Sequence, residues 1–243
     1  MAQPIEKVRG VADIVFVIDI TGSMQPCIDA LRENIGAFID SLSGKDPNNA
    51  APLKDWRGRV VGYRDFPADG AADWIVEQPF VRDATALKSQ LAALEARGGG
   101  DEPESLLDAL HHIANGPAAG TPTDEDSAAW RHRSQAARIV VVFTDATYHE
   151  SMSIPSAAGG RVDDAIHAMI NAKIRLSVFA PELPCYDALS AMPGSNIEPI
   201  PLDGRTAQDA LAAFTARREG FRRTLEHLAK SISKSTYDVP ATA

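Results

Sequence analysis

Asp19-Ile20-Thr21-Gly22-Ser23 places one carboxylate and two hydroxyls directly after an apolar run. Gly99-Gly100-Asp101-Glu102-Pro103-Glu104 adds carboxylates ahead of a helical pattern, and Asp145 closes another apolar run. Oxygen donors without thiols or paired histidines suit a hard divalent ion such as Mg2+, Mn2+ or Ca2+ rather than zinc. Each group also has a plainer use. Ser23 makes a good helix N-cap, and Asp101 with Glu104 has capping-box spacing. Asp19 and Asp145 resist that explanation, because each ends an apolar strand. If Asp19, Glu104 and Asp145 converge to ~5 Å, each ionised pair repels by about 3 kcal/mol at an effective dielectric of 20. A marginally stable domain then needs a cation there, or protonation.

Such convergence requires a scaffold that brings distant loops to one edge. Asp13 to Ile18 reads as a strand buried on both faces, because its apolar run is unbroken. Ile28, Leu31, Ile35, Phe38 and Leu42 then form one helical stripe. Further strands are expected at Arg59–Tyr63, Trp74–Phe80, Ile139–Phe143, Ile174–Phe179 and near Ile197–Pro201. Helices are expected around Leu87–Leu94, from near Pro103 through Ile113, at Val162–Ala172, Tyr186–Met192 and Thr206–Ser233, the last interrupted at Gly220. Strands alternating with helices imply an α/β domain with a mostly parallel sheet, whose ligands bind beyond the carboxyl ends of the strands. That rule selects residues 19–23, 64–69, 98–104 and 144–150.

The chain has 243 residues, enough for one large domain. With 24 basic against 33 acidic residues the net charge is −9, which argues against binding nucleic acid or an anionic membrane over a broad face. Cys27 and Cys185 are too few for a disulfide framework or a thiolate metal site. The longest apolar run, Ile14 to Ile18, cannot span a membrane, and the start does not read as a signal peptide. A reduced, cytoplasmic domain is the expectation. Residues 116–135, rich in Pro, Thr, Asp, Ala and Arg, read as a long surface loop, and Trp130-Arg131-His132-Arg133 within it as a small patch open to a partner.

With Asp-x-Thr-Gly-Ser after the first strand and Phe143-Thr144-Asp145 after a later one, the chain resembles the von Willebrand factor A (VWA) family and its metal-ion-dependent adhesion site. The second loop departs from the commoner pattern, which supplies a Thr. Asp101-Glu102-Pro103-Glu104 instead resembles the Asp-x-Pro-Glu in the VWA-like domains of integrin β-subunits, so Glu104 takes the ligand role. Together with Tyr63-Arg64-Asp65 and the His149 that follows Asp145, the pattern is nearest to the VWA domains attached to atypical alpha-kinases, although this chain contains no kinase segment. The resemblance implies a Rossmann-like three-layer sandwich with a six-stranded sheet, mostly parallel with one antiparallel edge strand, and helices on both faces. It places an N-terminal extension at residues 1–10, a single VWA domain at 11–235 with the loop insertion, and a frayed tail at 236–243.

The same resemblance implies one Mg2+-type ion held by Asp19, Thr21, Ser23, Glu104 and Asp145, with a position left for an Asp or Glu of a partner protein. The expected function is therefore interaction rather than catalysis. Asp65 and Asp101 stand where integrin β-type domains hold a neighbouring cation. Asp101 is assigned to such a second ion or to support of the first, while pairing with Arg64 or another base is the favoured reading of Asp65. Two alternatives remain: a metal-assisted phosphoester hydrolase using His149 as proton donor, and a scaffold that binds without metal. Cys27, early in the first helix, invites either a lowered pKa or burial as a small hydrophobe, and burial is the favoured reading.

Overall fold

The computed structural model describes residues 9–100 and 102–237. Asp101, residues 1–8 of the expected extension and residues 238–243 of the expected tail lie outside the described residues. The strands are β1 (Val11–Asp19), β2 (Asp55–Tyr63), β3 (Ile75–Glu77), β4 (Ala137–Phe143), β5 (Ile174–Pro181) and β6 (Asn196–Ile200). The helices are α1 (Gln25–Leu42), α2 (Phe66–Asp69), α3 (Ala84–Ala92), α4 (Leu106–Ala114), α5 (Val162–Asn171), α6 (Asp187–Ser190), α7 (Ala207–Ala216) and α8 (Arg218–Tyr237).

One six-stranded sheet runs in the order β3-β2-β1-β4-β5-β6. Only the β2–β3 pair is antiparallel; every other neighbour is parallel. This is the architecture expected above. Side chains alternate across a strand, so Ile14, Phe16 and Ile18 enter a core shared with α1 and α8, while Val15 and Val17 enter a second core with α4 and α5. Both faces are covered, which is why the β1 sequence is apolar without alternation. The α1 stripe packs onto the first face, with Phe38 edge-on to Phe16 at 5.3 Å. Phe221, Leu225 and Ile232 of α8 close the same layer.

Several local readings need correction. The third strand is confined to Ile75–Glu77. Helix α2, only four residues long, has too little periodicity to show in sequence. The last helical region breaks at Arg217, where ψ reaches 69°, and not at Gly220. The residues Trp130 and Arg131 are buried, not open to a partner. The indole of Trp130 donates to the Ile113 carbonyl. Arg131 and Arg57 both bind the fully buried Asp13 at 2.7 Å. A buried carboxylate needs such pairing, and the pair ties the end of the long loop to the start of β1.

Candidate functional site

Register alone assembles the centre. Asp19, the last residue of β1, is paired with Tyr63 of β2, and Ile18 with Phe143 of β4. Thr144 therefore emerges beside Asp19. The Thr144 hydroxyl donates to Asp19 Oδ2 at 2.9 Å, and the Tyr63 hydroxyl lies 3.5 Å from the same oxygen. Asp19 Oδ1 accepts from the Thr21 amide at 2.9 Å and the Thr21 hydroxyl at 2.7 Å. Thr144 and Tyr63 were not singled out from sequence as partners of Asp19. Their signals were present, in the residue before Asp145 and the last residue of the second strand.

The segment carrying Glu104 is fastened to the segment after Asp145 by backbone bonds. Glu104 N–H donates to the Thr147 carbonyl at 2.9 Å, and His149 N–H to the Glu104 carbonyl at 3.1 Å. Helix α4 starts at Leu106 with Ser105 as its N-cap, so Glu104 stands ahead of the helix and not in its first turn. Ser23 lies in a short 3-10 turn before α1 and makes no cap bond to that helix. The capping use considered for Ser23 and Glu104 is thus not what the structure shows.

Glu104 is 4% exposed and Asp145 1% exposed. Glu104 Oε2 and Asp145 Oδ1 are buried without a hydrogen-bond partner. Burial, reinforced by Asp19 and then by Asp65, Asp69 and Asp145, pushes the Glu104 carboxyl up to about 9. Burial and then Asp145 raise Asp19 to about 7, against the bonds from Thr21 and Thr144. Burial also raises Asp145, offset in part by the Ser23 hydroxyl. Asp19 and Asp145 thus both oppose ionisation of Glu104, and Asp145 that of Asp19. Among the described residues, however, no three His, Cys, Asp or Glu side chains are drawn together tightly enough to hold an ion by themselves. Any ion here would need the hydroxyls of Thr21 and Ser23 beside the carboxylates. The orphaned Glu104 and Asp145 oxygens and the all-oxygen donor set fit a hard divalent cation.

Above this centre opens a cleft of about 280 Å3 lined by Thr21, Ser23, Glu102, Glu104, Ala146 and Gln208, among others. Gly99 stands between Gly98 and Gly100, which line the cleft. A Cβ there would stand 2.4 Å from Thr21 Cγ2 and 2.7 Å from Glu104 Oε1, and φ is +92°. Only glycine permits that approach and that conformation. Its amide donates to Asp69 Oδ2 at 3.0 Å.

Asp65 does pair with a base, and the base is His149, at 2.7 Å. Ser105 donates to the same Asp65 oxygen at 3.0 Å. Arg64 instead donates to the carbonyls of Asp73, Glu95 and Arg97. His149 does not line the cleft. Cys27 is 1% exposed and burial pushes its thiol upward, so it behaves as a small hydrophobe.

No family model matches the chain. Over 137 residues it is 26% identical to the alpha-protein kinase vwkA of Dictyostelium discoideum, covering 56% of this chain and 19% of that protein. Among solved structures, the fold is similar to the pilus adhesin SpaC of Lactobacillus rhamnosus GG, with a TM-score of 0.52, 13% identity, and coverage of 95% of this chain and 32% of that one. It is also similar to proximal thread matrix protein 1 of the mussel byssus, with a TM-score of 0.51, 13% identity, and coverage of 88% and 48%. The chain spans less than half the length of each of these proteins. Identities this low carry the α/β fold and nothing finer. No helix among the described residues is long and apolar enough to cross a membrane.

Proposed function

We propose that the chain is a VWA-type module that holds one Mg2+-like ion at the carboxyl edge of its sheet and uses it to bind an acidic residue of another protein. The observation that carries this reading is the pair of buried, unpartnered oxygens, Glu104 Oε2 and Asp145 Oδ1, beneath an open cleft. Leaving such groups unsatisfied is costly unless something pairs with them. Asp19, Thr21, Ser23, Glu104 and Asp145 would hold the ion, Mn2+ or Ca2+ substituting for Mg2+. The ion would supply a charge to which a partner carboxylate binds. The likeness to an alpha-kinase of Dictyostelium and to an adhesin supports the reading by analogy alone. The hydrolase reading has less support, because His149 is bound to Asp65 and, among the described residues, no nucleophile–base pair lines the cleft.

Mg2+ at tenfold its dissociation constant should stabilise the fold by about 1.4 kcal/mol. That equals a rise in Tm of about 3–6 °C for a domain of this size. Thermal unfolding with and without Mg2+ reads the shift directly. Asp19→Ala should abolish it; an equal shift in the variant would place the ion elsewhere.

A further inference from the structure

Around the proposed ion, the charge does not balance. Asp19, Glu104 and Asp145 together with a divalent cation leave one negative charge uncompensated, and a partner carboxylate adds another. Glu102, exposed on the cleft wall, adds a third. Its Oε2 is held in place by the Thr147 hydroxyl at 3.2 Å and the Thr147 amide at 3.3 Å. Asp69, half-buried, stands behind the glycine loop through its bond to Gly99. Among the described residues, no lysine, arginine or histidine lines the cleft. Arg97, on the adjoining loop, is bound to Asp73 at 3.1 Å and faces Glu95 at 3.9 Å. The acidic wall is not merely a solvated surface, because Glu104, 4% exposed with an unpartnered Oε2, opens into the same cleft.

A lone carboxylate approaching this cleft meets an ion already outweighed by its ligands, and then a second carboxylate on the wall. Like charges placed opposite one another oppose binding, whereas complementary ones fix register and partner choice. Building on the metal-dependent reading above, we propose that the partner segment carries a lysine or arginine directly beside its acidic residue, and that Glu102 is the group that selects it. The acid completes the ion's shell while the neighbouring cation pairs with Glu102. The chain's net charge of −9 favours the approach of such a mixed or basic segment from a distance.

Decapeptides with a central glutamate, flanked on both sides by lysine, glutamine or glutamate, test this by fluorescence anisotropy against the whole chain in saturating Mg2+. The expected order is lysine-flanked tightest and glutamate-flanked weakest, with about a fivefold gap between lysine- and glutamine-flanked peptides, as one exposed ion pair provides. Raising salt should narrow that gap. Glu102→Gln should remove it, and Glu102→Lys should reverse the order, while both variants keep the Mg2+ shift in Tm. Mg2+-dependent binding that ignores the flanking charge, or an order unchanged in Glu102→Lys, overturns this inference and leaves the metal reading standing. Lysine-flanked binding that persists in EDTA overturns it too, because the cation would then occupy the cleft unaided. If Mg2+ stabilises the chain yet no glutamate peptide binds, the acidic-partner half of the proposed function fails and takes this inference with it.

Discussion

Glu104 and Asp19 are carboxylates whose surroundings favour the proton. In the unfolded chain both ionise near pH 4, whereas in the folded chain their values rise to about 9 and about 7, chiefly through burial. The folded state therefore binds more protons between those limits, so this site's contribution to stability is fully present below pH 4 and is lost as pH climbs through 7 to 9. A divalent ion replaces the protons, so Mg2+ should stabilise little at pH 5 and increasingly toward pH 9. Denaturant unfolding across that range, with Mg2+ and with EDTA, checks both trends. A Mg2+ effect independent of pH would detach the ion from these carboxyls. Glu104→Gln supplies a separate check. Glutamine has nearly the same shape and needs no proton to be neutral, so the EDTA-treated variant escapes the cost of taking up a proton on folding; it should be at least as stable as wild type at pH 8 and should gain nothing from Mg2+.

Loops and short elements decide where those residues stand. Gly99 and Gly100 both have positive φ, +92° and +63°, but only Gly99 presses on Thr21 and Glu104; a Cβ at Gly100 would meet Ala68 Cβ at an ordinary 3.6 Å. Alanine at either position carries a backbone cost of about 1–3 kcal/mol. Gly99→Ala alone should also weaken Mg2+ binding, by about tenfold, the smaller end of what disturbed support of a metal ligand costs. Equal Mg2+ affinity in the two variants would show that the close approach is irrelevant. Much of this edge was legible in sequence: Asp19 announces itself by ending an apolar strand, Asp145 by following one, and Glu104 by its loop. The Thr144–Asp19 bond and the Asp65–His149–Ser105 cluster were not, because they depend on strand register and on contacts between distant segments. The capping alternative for Glu104 could not be settled in sequence for a related reason. Spacing cannot show that the helix begins after it.

At the scale of the whole molecule, buried ion pairs anchor one end of the sheet and buried carboxylates gather at the other. Asp13 holds Arg57 and Arg131 at the start of β1, at the opposite end of the strand from Asp19. Removing one partner of such a buried group costs about 3–5 kcal/mol. Arg131→Ala should accordingly lower the unfolding free energy by about that amount while leaving Mg2+ affinity unchanged in the folded population. A combined loss would mean that the two ends of the sheet are coupled. The patch around Trp130 looked like a surface in sequence because composition cannot reveal that an arginine on a polar loop reaches a buried aspartate. The central claim concerns the other end, that a single hard cation belongs between Asp19, Glu104 and Asp145. Electron paramagnetic resonance of added Mn2+ counts bound ions directly. The account predicts one Mn2+ per chain, displaced by Mg2+ and lost in Glu104→Gln; a variant that still binds one displaceable ion as tightly as wild type would contradict it.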